Sequence, residues 1–352
     1  MRYKGEMKSM KVYLQNGVTI EVDTFSQINQ SQFYILFLSD DVTSYMYPGH
    51  DLLETIQDKL ALVYDLIDDR YILDHDNWSR ELSNVPITLY SAGLGSILGL
   101  DDNGITKDEV EKFYYNFCQN PKYEYWRSIL PDLNRILFLN DIHAMIHSLQ
   151  NIIEAFDMSF VDVYLILVET VKLTERDDFA DGEYRESSAR ARKISYAIEN
   201  YFIKANAVLD YFCKLCLELQ HRYDDFSKMP KLISRNKTYG NRKSLRIQQI
   251  KNTIFEYDEI VRLIVNIRNQ VIHNGSLDST PAVFYRKKGN EIVERYALFP
   301  DITAGHLDTW INRNRFYGKY IKVNDILPDI HRKFCKKILY TIDYILKNNG
   351  IS

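Results

Sequence analysis

Apolar residues between Ile194 and Leu219 recur every three or four positions: Ile194, Ala197, Ile198, Tyr201, Ala205, Val208, Leu209, Phe212, Cys216 and Leu219. At 100° per residue they fall within an arc of roughly 120°, the width of a helix face that packs into a core. A helix of that length draws its stability from neighbours packed along it, which points to a bundle. Ile203 and Leu217 lie on the other side with Asn206 and Asp210, so a second, weaker apolar face asks for a further packing partner. Only 14 Gly and 8 Pro punctuate 352 residues, too few for a loop-rich sandwich, and the fold is expected to be mainly α.

The rest of the chain fits that frame. Val12, Leu14, Val18, Ile20 and Val22 alternate around Asn16-Gly17, which predicts a hairpin over 10–22 closed by a type I′ turn. Phe33–Leu38 reads as a buried third strand, and helices are expected over 51–68, 106–118, 131–156 and 159–176. A charged stretch over 174–188, interrupted by Gly182, marks a boundary. Residues 1–188 are thus expected to form a mostly helical unit carrying a small β element, and 189–352 a second helical unit. In the latter, a basic linker over 228–251 contains Pro230 and Gly240, and a helix over 254–273 is stopped by Asn274-Gly275. A hairpin flanks Lys288-Gly289-Asn290, and a last helix starts near Pro328 with Ile330, Phe334, Ile338, Ile342 and Ile345 as its core face.

Charge divides at the same boundary. Residues 1–188 carry a net −17 and residues 189–352 a net +13, which together give the overall −4. The basic unit is the one suited to a polyanion, and the acidic unit is expected to regulate it, by shielding it or by receiving a protein or ligand trigger. Cys118, Cys213, Cys216 and Cys335 show no paired spacing, and the N-terminus lacks the apolar run of a secretory signal. The longest apolar stretches, Phe33–Leu38 and Val163–Val168, are too short to cross a bilayer. A cytoplasmic protein without membrane contact is the expectation.

On the 254–273 helix, Ile260, Val261, Leu263, Ile264, Val265, Ile267, Val271 and Ile272 build an apolar arc, and Arg268 falls inside it. An arginine there is costly unless it is paired or faces a cleft. Asn269 and His273, at i and i+4, share the opposite polar side with Asn266. A histidine has an ordinary pKa of about 6.5, suited to proton transfer near neutrality, and a guanidinium can hold a phosphate. Such groups suffice for RNA cleavage without a metal or cofactor: a base on the 2′-OH, an acid on the 5′-oxygen, a cation on the phosphate. Arg268 paired within a core, with His273 a plain helix-end residue, is the competing reading.

Arg268-Asn269-Gln270-Val271-Ile272-His273, followed by Asn-Gly, resembles the R-x4–6-H motif of the HEPN superfamily, often written R-N-x3-H. That superfamily includes ribonuclease toxins and antiviral effectors. Its small helical bundle, with the motif late in an inner helix and one helix after it, is similar to the layout of 190–347. The resemblance implies a homodimer in which two motifs face each other as one composite site. It implies His273 as general acid/base, Arg268 as phosphate anchor and Asn269 as a positioning group, with Asn206 and Asp210 as polar support from the neighbouring helix. A HEPN-like dimer that binds RNA, nucleotide or a partner protein without cleaving is the alternative. Position 275 is Gly, which departs from the variant whose tyrosine two residues after the histidine is a modification site.

Two basic stretches interleave aromatics with cations: Arg235, Lys237, Tyr239, Arg242 and Lys243, then Arg313, Arg315, Phe316, Tyr317 and Lys319. That is the composition of a single-strand contact surface, and these cations are the expected RNA contacts. Other constellations are weaker. His143 and His147 have metal-ligand spacing beside Asp141, but no Glu follows His143. Cys213-x2-Cys216 sits within a continuous helix as core. Asp101-Asp102-Asn103-Gly104 fails as a calcium loop, because Gly99 and Val110 stand where carboxylates are required. Ala92–Ser96 lacks the third glycine and the lysine of a phosphate cradle. Asp65, Asp68, Asp69, Asp74 and Asp76 read as a solvated face.

Overall fold

The computed structural model describes residues 10–22, 34–37, 45–46, 50–72, 133–169, 180–228, 230–311 and 314–348. The fold is mainly α with small antiparallel sheets. Near the N-terminus β1 (Met10–Leu14), β2 (Thr19–Val22), β3 (Tyr34–Phe37) and β4 (Tyr45–Met46) form a sheet in the order β2-β1-β3-β4. The hairpin forms where expected, with a different turn. Gly17 N–H donates to Leu14 O at 2.9 Å and Leu14 N–H to Val18 O at 2.8 Å, so three residues make the loop. Gly17, at φ 75, takes the left-handed position that follows such a turn. A Cβ there would meet Arg295 O at 2.5 Å, so glycine also lets the hairpin dock closely.

Among the described residues two helices precede the basic unit: α1 (His50–Tyr71) and α2 (Leu133–Glu169). The second corrects the sequence reading, which divided it at Asp157-Met158. One helix of 37 residues runs straight through. The helix accommodates its polar residues there: Asp157 pairs with His331 at 3.2 Å, and Ser159 Oγ donates to Phe156 O, one turn back, at 2.6 Å. The expected helix over 106–118 and the expected end at 176 lie outside the described residues. Among those described, no helix is long and apolar enough to cross a membrane.

Next come β5 (Gly182–Glu186) and the central helix α3 (Ala189–Gln220), whose first turn is capped by Ser188 Oγ accepting from Arg190 N and Ala191 N. Ser188 ends the expected first unit, yet the hydrophobic core continues across it, from Ile56 on α1 to Ile345 on the last helix. Every residue of the face that predicted α3 is buried. On the second, weaker apolar face Leu217 is buried and Ile203 half-buried, so that face is partly satisfied within the chain.

A 3-10 turn (Tyr239–Ser244) leads to α4 (Glu259–Asn274), then to β6 (Val283–Lys288) and β7 (Glu291–Phe299). Short strands follow: β8 (Ile302–Thr303), β9 (His306–Leu307), β10 (Thr309–Trp310), β11 (Asn314–Arg315) and β12 (Ile321–Lys322). The expected β6–β7 hairpin widens into a sheet ordered β12-β7-β6-β5. The charged stretch taken for a boundary thus contributes a strand, with Tyr184 stacked on Tyr285 at 5.3 Å.

The final helix, α5 (Val323–Lys347), starts five residues before Pro328, not at it. Proline cannot donate to the carbonyl four residues back. That carbonyl, Asn324 O, instead accepts from Gln15 Nε2 at 3.0 Å and Tyr164 Oη at 2.9 Å. The Asn324 amide donates in turn to Gln15 O and Arg295 O, at 2.7 and 2.9 Å, joining the N-terminal hairpin, β7 and α5. At the other end of the core, Arg70 Nη1 donates to Leu219 O at 2.7 Å and so occupies a terminal carbonyl of α3.

His331 on α5 is buried between the rings of Phe156 and Phe160, with centroids at 4.8 and 4.4 Å. Burial alone would lower its pKa, but Cys335 Sγ at 3.6 Å and the Asp157 carboxylate outweigh that and raise it to about 9. A raised histidine pKa stabilises the fold fully below the ordinary value of about 6.5 and loses that contribution as pH climbs through the folded value. Unfolding free energy measured by urea titration should therefore fall between pH 6.5 and 9 in the wild type relative to His331→Gln. Parallel profiles for the two proteins would contradict the assignment.

Candidate functional site

The site begins with how α4 is held. Asp258 caps it by accepting from Val261 N at 3.1 Å, and buried Lys337 on α5 reaches the same carboxylate at 2.8 Å. Along its flank, Arg262 Nη1 donates to Ala304 O at 2.9 Å and Asn266 Nδ2 to Gly305 O at 2.9 Å. Gly305 permits that approach: its φ is 78, and a Cβ would stand 2.4 Å from Glu259 O. Past the C-terminus, Gly275 turns the chain at φ 93 and Leu277 N–H donates to the buried Glu199 carboxylate at 2.7 Å. Asn274-Gly275 ends the helix as the sequence predicts.

Arg268, Asn269 and His273 come together at this end. Arg268 Nη1 donates to Asn269 Oδ1 at 3.0 Å and lies 3.5 Å from His273 Nε2. A guanidinium has only donors, so His273 presents the Nε2 lone pair to it. Asn269 and His273 are exposed and Arg268 is half-buried. Of the apolar arc around Arg268, Ile264 and Ile267 are fully buried while Ile272 is 50% exposed, so the arginine sits where core gives way to surface.

Asp210 on α3 lies in the field of both Arg268 and Lys214. Its Oδ2 accepts from Asn206 Nδ2 at 3.1 Å and its Oδ1 from Tyr239 N–H at 2.6 Å. Burial raises its pKa, against the lowering by the Tyr239 N–H and the two cations. Asn206 and Asp210 therefore anchor the start of the basic 3-10 turn, and Asp210 offers charge, not a hydrogen bond, to Arg268.

One residue near the site carries no sequence signal. His306, exposed on β9, has Nδ1 3.0 Å from Asn266 Nδ2. Gly305 O can only accept, which fixes the Asn266 amide with nitrogen toward the loop, so Nδ1 accepts and Nε2 carries the proton in the neutral ring. Asn266 and His273 share the polar stripe of α4, about 10 Å apart along the axis. Only the fold brings a residue 33 positions beyond His273 to that stripe.

The expected RNA contacts separate. Arg235, Lys237 and Lys243 are exposed. Arg242 is committed to the fold, its guanidinium 4.7 Å from the ring centre of Tyr239 and 4.4 Å from that of Tyr257. Arg315 is half-buried in the field of Glu199, near the opposite end of α3 from Arg235, and Arg313 lies outside the described residues. Elsewhere, His143 Nε2 is 2.9 Å from Asp68 Oδ1, while Asp65 and Asp69 face solvent; Asp74 and Asp76, like Asp101–Gly104 and Ala92–Ser96, lie outside the described residues. Cys213 and Cys216 are buried core. Among the described residues no group of three His, Cys, Asp or Glu side chains is placed to hold a metal.

Asp210→Ala removes the acceptor of Tyr239 N–H and should cost about 1–3 kcal/mol of stability. The basic turn should loosen with it, so trypsin cleavage at Lys237, Arg242 or Lys243 should accelerate. An unchanged digestion pattern would show that Asp210 does not hold that segment. Comparison with family models, curated proteins and solved structures finds no match to the chain.

Proposed function

We propose that the chain is a metal-independent endoribonuclease with a HEPN-like helical bundle, acting as a homodimer through Arg268 and His273. The observation that carries this reading is the convergence of Arg268, Asn269 and His273 at the open end of α4, with the guanidinium 3.5 Å from the imidazole. In the free protein Arg268 holds the Nε2 lone pair. A scissile phosphate competes for the guanidinium, draws it away and frees that nitrogen to take the proton of the 2′-OH. The 2′-oxygen then attacks phosphorus, the bond to the 5′-oxygen breaks, and a second imidazole returns a proton to the leaving oxygen. In a composite dimer that second group is His273 of the other copy. Arg268 offsets charge on the phosphoryl oxygens, and Asn269 keeps the guanidinium aimed. The competing reading is a binding module that uses the same end of α4 without cleavage.

Cleavage of a mixed RNA pool should persist in excess chelator. It should drop about 10²- to 10⁴-fold in His273→Ala and Arg268→Ala at unchanged melting temperature. Chelator-sensitive cleavage, or equal rates in the variants, would refute the assignment. A folded dimer that cleaves no RNA would favour the binding module.

A further inference from the structure

A cleft of about 720 Å³ lies between α2, α3 and residues 230–236. Its walls are unlike in chemistry. Met145, Leu232 and the ring of Tyr211 give an apolar wall, while Lys214, Lys231 and Arg235 put three cations on the rim against one carboxylate, Asp141. The Lys214 ammonium is set over the Tyr211 ring, 4.6 Å from its centre.

The rim is built in advance. Buried Glu218 accepts from Ser234 N–H at 2.6 Å and from Tyr223 Oη at 2.8 Å. Tyr223 Oη also accepts from Ile233 N–H, and Ser234 Oγ lies 3.9 Å from Met145 Sδ, fastening the loop across the cleft to α2. A loop so fixed needs little further ordering when a ligand enters. A bare phosphate would use the cations and leave the apolar wall uncovered. A purely apolar ligand would bury that wall and leave the cations unmatched. A planar heterocycle joined to a phosphate matches both.

We propose that this cleft binds one nucleotide unit, with its base on the Tyr211–Met145 wall and its phosphate at Lys214, Lys231 and Arg235. The unit is either a free nucleotide or one residue of an RNA strand. The site is separate from the Arg268–His273 pair, although Lys214 and Arg268 both act on Asp210. Binding therefore does not depend on cleavage.

The test measures affinity of the full chain for AMP, for inorganic phosphate and for a 2′-O-methyl decanucleotide, which has no free 2′-OH to react. Lys214→Glu removes a cation, and Ala144→Trp fills the cleft from an exposed position on α2 without changing charge. Both variants should weaken AMP or the decanucleotide by about tenfold or more. AMP binding that responds to both variants identifies a free-nucleotide site; a response of the decanucleotide alone identifies a strand subsite. Neither probe binding, Lys214→Glu acting without Ala144→Trp, or phosphate competing as well as AMP would overturn the proposal.

Discussion

A row of carboxylates on α3, Glu199, Asp210 and Glu218, holds the basic segments in place. Each accepts a backbone N–H from a different loop: Leu277 at 2.7 Å, Tyr239 at 2.6 Å and Ser234 at 2.6 Å. The three residues lie along one side of the helix, over about 28 Å of its axis. A carboxylate taken from water needs such donors, and a loop N–H needs an acceptor, so each satisfies the other. The central helix consequently buries its apolar face against α2 and uses its polar stripe to hold the segments that follow. The C-terminal turn of α4, the 3-10 turn and the cleft rim are the three segments so placed.

Backbone donors engage these acids, so the cations of the same loops need not fold back onto them. The acids are engaged by backbone, which leaves exposed Arg235, Lys237 and Lys243 projecting outward. Arg268 lies midway along the row, in the field of Asp210, and Lys214 lies on the other side of that carboxylate's sequence position toward Glu218. The positive charge of residues 189–352 is therefore distributed along a helix. Its two ends differ: Arg315 sits near Glu199, and Arg235 near Glu218.

Much of this was legible in the sequence wherever the determining contacts are local. The α3 face, the Asn274-Gly275 stop of α4 and the positions of both hairpins, though not the turn type of the first, follow from periodicity and turn chemistry. Errors arose where a residue's partner is far away in the chain. Two helices were expected on either side of Asp157-Met158, and His331, which pairs with Asp157 in the core, is distant in sequence. Pro328 looked like a helix start because nothing local shows that Gln15 and Tyr164 take the carbonyl it leaves without a donor. Arg242 read as a surface cation until Tyr257 closed over it. His306 was invisible for the same reason: only the close approach at Gly305 brings it to Asn266.

The central claim is that Arg268 and His273 catalyse attack by the RNA's own 2′-oxygen, and the ends of the product strands report this most directly. Mass spectrometry of a defined RNA cleaved in chelator should find 2′,3′-cyclic phosphate, or its hydrolysed monophosphate, on one fragment and 5′-hydroxyl on the other. Fragments bearing 3′-hydroxyl and 5′-phosphate would mean that water or another nucleophile attacked, and would contradict the account.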